Sequence, residues 1–147
     1  MTREQAFAAI FAKLSGMTQF VTNSRRLRLV EKVDPGEMPA LFQQQISEPI
    51  SSQQYAISDG GLEYSVLNVS WYIYVAQGDD TAPMTPGLNA LVDAVINQVF
   101  GSPQSNIVNV GSENFALMPT AVIYYEGVLG DRAVARIDVQ AKPLNLP

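Results

Sequence analysis

Residues 63–76 read EYSVLNVSWYIYVA, a run that carries the one tryptophan of the chain and its strongest strand signal. With a period of two, Leu67, Val69, Trp71, Ile73 and Val75 fall on one face, and Tyr64, Val66, Asn68, Ser70, Tyr72 and Tyr74 fall on the other. The first face is core. The second mixes hydroxyls, an amide and aromatic rings, which suits contact with water or with a protein partner. The stretch predicts a strand inside a sheet, and the neighbouring segments are read by how they cover it.

Upstream, Thr2–Met17 sets Phe7, Ile10, Phe11, Leu14 and Met17 at helical spacing, with Thr2 as N-cap and a stop near Gly16. Downstream, Thr85-Pro86-Gly87 opens a second helix with Leu88, Leu91, Val92, Val95, Ile96 and Val99 in one stripe, closed at Gly101. Asp93 and Asn97 lie off that stripe, so the helix covers a sheet on one side only.

Alternation in Ser24–Val33, SRRLRLVEKV, predicts a strand with Leu27 and Leu29 on one face and Arg26, Arg28 and Val30 on the other. A turn at Asp34-Pro35-Gly36-Glu37 follows, then a short strand over Pro39–Gln43. Ile107–Val110 reads as a short strand or an ordered loop. Pro119–Glu126 and Arg132–Ala141 form a hairpin through Gly127–Asp131, with Ala133, Ala135, Ile137 and Val139 inward and Arg132, Val134, Arg136, Asp138 and Gln140 outward. Gln44–Gly61 is poor in core residues and reads as a disordered loop or a long hairpin arm. The spacing of Ile46, Ile50, Tyr55 and Ile57 favours the arm. The expected architecture is one α+β domain over residues 1–147 in the order α-β-β-β-α-β-β. It has an antiparallel or mixed β-sheet, two amphipathic helices packed on one face, and a projecting β-hairpin arm over residues 44–61.

Composition narrows the chemistry. The chain has no cysteine and no histidine, which removes disulfides, Cys/His zinc sites, histidine-dependent nucleophiles and the commonest general base at neutral pH. An enzyme would be left with carboxylates, lysine, tyrosine or serine. Glu126, Asp131 and Asp138 are the grouping that a hairpin would bring nearest together, as in glycoside hydrolysis. No glycine-rich phosphate loop is present, and neither Asp59-Gly60-Gly61 nor Asp79-Asp80 has the spaced oxygen donors of a calcium loop. No catalytic set, metal or cofactor is expected.

A net charge of -5 argues against general binding to a phosphate backbone. Yet Arg25, Arg26, Arg28 and Lys32, four of the nine basic residues, fall within eight positions. That cluster reads as a subunit contact, where arginine's planar fork meets a neighbour's carboxylate, as a nucleic-acid contact, or as a solvated edge. No apolar run approaches the roughly 20 residues of a spanning helix. Charges at Arg3, Glu4 and Lys13 interrupt what a signal peptide keeps apolar, so no membrane partner and a cytoplasmic site of synthesis are expected.

Four blocks carry a family resemblance: Thr22-Asn23-Ser24-Arg25-Arg26-Leu27-Arg28, Pro39-Ala40-Leu41-Phe42, Leu88-Asn89-Ala90-Leu91-Val92-Asp93-Ala94, and Glu126 through Ala135, EGVLGDRAVA. In this order they resemble small tail proteins of tailed bacteriophages and prophages, the tail terminator or tail completion family. Gly101–Leu117 has no counterpart in that resemblance. It implies a structural virion protein and no enzyme: a homo-oligomeric ring, commonly hexameric, that caps the tail tube and joins it to the head-tail connector at the neck. Its partners are then copies of itself, the tube protein and the connector, with DNA passing through the lumen without specific binding. Assembly takes place in the host bacterial cytoplasm, and the finished site is the virion tail. A head-tail connector or tube subunit is the alternative within the virion. The interface residues expected for such a ring are Arg25, Arg26, Arg28, Ile50, Tyr55, Ile57, Tyr72 and Tyr74.

Overall fold

The computed structural model describes residues 2–49, 66–77, 83, 85–129 and 131–144. Its elements are helix α1 (Arg3–Ala12), strand β1 (Thr22–Ser24), β2 (Ala40–Ser47), β3 (Leu67–Ala76), helix α2 (Thr85–Phe100), β4 (Ile107–Val110), β5 (Glu113–Leu129) and β6 (Arg132–Pro143). The strands form one six-stranded sheet in the order β1-β2-β3-β6-β5-β4. Only β1 and β2 run parallel, so the sheet is mixed and the fold is α+β.

β3 lies between β2 and β6, with Trp71 opposite Gln43 on one side and Ile137 on the other. Its predicted core face holds: Leu67, Val69, Trp71 and Ile73 are each at most 1% exposed. On that face α2 packs against β3 and β6, burying Leu88, Val92, Val95 and Val99. α1 touches β4 and also reaches β2 on the far side of the sheet, where the Gln43 side chain bonds to the Phe7 carbonyl. For one helix to reach both flanks, the sheet curls around the helical layer.

Local signals account for the helix ends. The Thr2 hydroxyl accepts from the Gln5 amide and Gln5 Oε1 accepts from the Thr2 amide, a capping box that sets the start of α1. α1 ends at Ala12, short of the predicted Met17, and Leu14 and Met17 are buried from the turns that follow. Gly16 sits at φ +80°, where a side chain would be strained. Gly101 after α2 is not left-handed. It is glycine because a Cβ there would come within 2.3 Å of the backbone and side-chain oxygens of Asn97.

Three expectations change. Ser24–Val33 is not a strand: pairing ends at Ser24, and the chain continues as a strap with short 3-10 turns at Val30–Lys32 and Pro35–Glu37. The strap lies on the sheet face opposite the helices, where Val33 and Met38 are buried and Leu27 and Val30 are packed with them, while Leu29 is 64% exposed. Leu27, Val30 and Val33 are three apart, a spacing that the alternation of a strand does not give. Second, Gln44–Ser47 continue β2, and from residue 50 onward the predicted arm lies outside the described residues. Third, Val134 and Tyr74, both expected outward, are 5% exposed beneath the strap.

Ile107–Val110 is a strand, joined to β5 by the two-residue turn Gly111-Ser112 with Gly111 at φ +61°. Glycine at the first central position is what a type II′ hairpin turn requires. β5 begins six residues earlier than the predicted Pro119.

The buried polar residue that ties the two layers is Gln43, 2% exposed. Its Oε1 accepts from Trp71 Nε1 at 3.0 Å and its Nε2 donates to the Phe7 carbonyl at 3.0 Å. Gln43→Leu keeps the volume but strands both partners in the core, so stability should fall by about 2–4 kcal/mol. Urea unfolding followed by the fluorescence of the single tryptophan reads the change, and an unshifted midpoint would contradict this role for Gln43.

Candidate interaction surface

The sheet face away from the helices carries the residues with unclaimed chemistry. In register across it stand Asn68 and Gln140, Ser70 and Asp138, Tyr72 and Arg136, and Tyr74 and Val134. The strap divides this face in two. Over Ala40, Phe42, Tyr74 and Val134 it is closed by the protein itself; over Asn68, Ser70 and Asp138 it is open.

The closed half explains two of the three predicted arginines. Arg28 Nη2 donates to Glu37 Oε2 at 2.6 Å, and its guanidinium stands 5.7 Å from the Phe42 ring centre. Tyr74 donates to the Arg28 carbonyl at 2.6 Å, and Arg132 Nη2 donates to the Val33 carbonyl at 3.3 Å. Hydrogen bonds from Arg28 and from the Asp34 amide hold the Glu37 carboxyl below its usual range. Arg25 pairs with Glu4 on α1, which lowers the Glu4 carboxyl in the same way. Glu4 is 74% exposed, so the pair orients the strap more than it stabilises it. Arg26 is exposed, and its guanidinium has no partner among the described residues.

The open half holds a hollow of about 300 Å³ lined by Ile46, Asn68, Ser70, Thr120, Arg136 and Asp138 among others. A lattice of side-chain bonds crosses its floor. Ser70 Oγ donates to Asp138 Oδ1 at 2.7 Å, and Arg136 Nη2 donates to Asp138 Oδ2 at 3.3 Å. Asn68 Nδ2 reaches Ser47 Oγ at 3.0 Å, Tyr72 donates to Gln44 Oε1 at 3.0 Å, and Arg136 Nη1 approaches the Tyr125 hydroxyl at 3.4 Å. The Asp138 bond holds the Arg136 guanidinium charged still more firmly than usual.

Both Asp138 oxygens are thus engaged by donors, an arrangement that pairs its charge with Arg136 and ties β6 to β3. Asp131 pairs with Arg132 instead and lies roughly 20 Å from Asp138 along the extended chain. Glycoside chemistry needs carboxyl groups within about 5–10 Å, so these two do not form such a pair. Among the described residues no three metal-ligating side chains gather, and no helix is long and apolar enough to cross a membrane.

Of the eight residues expected at an interface, Tyr72 borders the open half, half-buried, and Arg26 is free at the surface. Arg25 and Arg28 are engaged within the protein, and Tyr74 is covered. Ile50, Tyr55 and Ile57 lie outside the described residues. Sequence reasoning missed the Ser70–Asp138–Arg136 group, because its members meet only through the β3–β6 register. The one signal was that all three lie on predicted outward positions of two strands.

No protein-family model matches the chain, and no curated protein matches it.

Burial, and secondarily the nearby Tyr72 and Glu31, push the Tyr74 hydroxyl from an ordinary value of 10.0 up to about 12. A raised acid keeps its proton longer in the folded chain than in the unfolded one. Stability from this group is therefore complete below pH 10.0 and is lost as pH rises from there through about 12. Tyr74→Phe should cost about 1 kcal/mol at neutral pH through the lost bond to Arg28. The variant should also show a shallower loss of stability than the parent across that alkaline window in denaturant titrations. Equal slopes would place the Tyr74 hydroxyl in water.

Proposed function

We propose that the chain is a structural subunit of a phage tail, a tail terminator that assembles as a ring, capping the tube and joining it to the head-tail connector. The observation that carries this reading is the ordered resemblance of four sequence blocks to that family. Two of those blocks meet in the fold: Thr22–Ser24 pairs with Ala40–Phe42 as β1 and β2. A third forms part of α2 and the fourth spans the β5–β6 turn, so the blocks fall on fold-defining positions.

Charge supports passage of DNA over retention of it. The chain carries -5 overall, and Arg25 and Arg28 are spent on Glu4 and Glu37, leaving few cations for phosphate. The open half of the outer face, polar and neutralised, is the kind of surface that stays soluble in the free subunit and still packs against a neighbour. Ring copies, tube protein and connector are the partners, and the neck of the virion, assembled in the host cytoplasm, is the place.

Deleting the gene from a phage or prophage that carries it tests this directly. Full heads beside tails of uncontrolled length are expected; loss of tails altogether would make the chain a tube subunit, and tails of normal length would end the terminator reading. In the purified protein, Ile46→Asp places a charge beside the open hollow on a residue already 51% exposed. It should leave thermal unfolding unchanged and abolish rings in negative-stain images.

A further inference from the structure

β5 is 17 residues long, yet β4 pairs only with its first part, Glu113–Ala116. Two more bonds close that contact, from the Leu117 amide to the Asn106 carbonyl and from Asn106 Nδ2 to the Leu117 carbonyl. Beyond it β5 is held by β6 on one side, and no described residue pairs with the other. Met118, Pro119, Thr120 and Ala121 are exposed, and so are the rings of Tyr124 at 47% and Tyr125 at 39%.

A bare strand edge presents unpaired N–H and C=O groups, and natural sheets blunt such edges with charge, proline, a bulge or a covering segment. Pro119 and the bulge around Thr120 blunt the near end, and a second break in register between Tyr125 and Leu129 marks the far end, leaving Ala121–Tyr125 regular between them. Ala121–Tyr125, AVIYY, has neither charge nor proline. The other flank of the sheet is treated differently. There β1 pairs with the start of β2, and α1 is fastened beside β2 by the Arg3–Glu48 ion pair at 2.9 Å and by the Gln43 bond to Phe7.

We propose that β5 is a strand-addition edge whose occupant is β5 of a second copy of the chain, the two running antiparallel about Ile123. Such an edge requires an extended strand with its own free groups and a similar length, and among the described strands only β5 offers one. A two-fold axis perpendicular to the sheet keeps each residue opposite one on the same face. Centred on Ile123, it sets Ile123 against itself, Val122 against Tyr124, and Ala121 against Tyr125. These are small or β-branched residues against aromatic ones, the favourable cross-strand pairing. A two-fold contact does not close a ring, so it is separate from the head-to-tail contacts of the assembly proposed above.

The absence of cysteine makes the register readable by cross-linking. Opposed Cα atoms in an antiparallel ladder are about 4.5–5.5 Å apart. That lies inside the disulfide range of about 4.4–6.8 Å. Ile123→Cys should therefore give a covalent dimer under mild oxidation on a non-reducing gel. Val122→Cys meets its own copy only on a diagonal of about 7–8 Å and should remain monomeric. No dimer from Ile123→Cys, or equal yields from the two variants, would overturn the proposal. So would a chain that fails to cross-link at Ile123→Cys while the same edge binds an unrelated extended peptide.

Discussion

Trp71 can be dry only because Gln43 takes its indole proton. A buried N–H without a partner is costly, and the sheet offers none on that face, since every ladder group already faces sideways along the strands. Gln43, directly opposite Trp71 in register, supplies the acceptor and passes its own amide protons to the Phe7 carbonyl of α1. One side chain thus fixes the largest core residue, the register of β2 on β3, and the seating of the first helix. The apolar face of β3, the turn of α2 across it and the curl of the sheet all assume that this polar pair is in place.

The opposite face follows a different rule. It is partly closed by the chain's own Arg25–Pro39 segment, held by hydrogen bonds and ion pairs to Glu4, Glu37 and Tyr74 as well as by Val33 and Met38. Arginines that look from outside like a binding patch are here mostly fasteners. Among the described residues, the polar hollow around Ser70 and Asp138, the Arg26 guanidinium and the β5 edge beyond Leu117 are left uncovered.

The sequence was most legible where one period held throughout. β3, β6 and α2 repeat apolar residues at two or at three to four positions, and most of the residues expected inward are buried, with Ser70, Tyr74 and Val134 buried in addition from the outer face. Legibility failed in Arg25–Pro39, where a few leucines and valines fit alternation by chance and the three-residue spacing of Leu27, Val30 and Val33 was the truer signal. It also failed for the start of β5, where Phe115 and Leu117 alternate on the core face over too short a run before Pro119 to read as a strand. For the candidate surface, parity placed Asn68, Ser70, Tyr72, Arg136 and Asp138 on the outer face, but only strand register could bring them together. Nor does composition reveal that Tyr74 is covered, because the segment covering it is distant in sequence.

The pairing of β3 with β6 bears on how the chain folds. β3 is the third strand in chain order, but β6, which completes its far side, follows only after α2, β4 and β5. Until β6 pairs, Trp71 and its neighbours lack one side of their sheet. Contacts so distant in sequence form slowly, and apolar strands waiting for them are open to aggregation or to chaperones. The β3–β6 ladder, and with it the centre of the sheet, therefore forms only by joining strands separated by α2, β4 and β5.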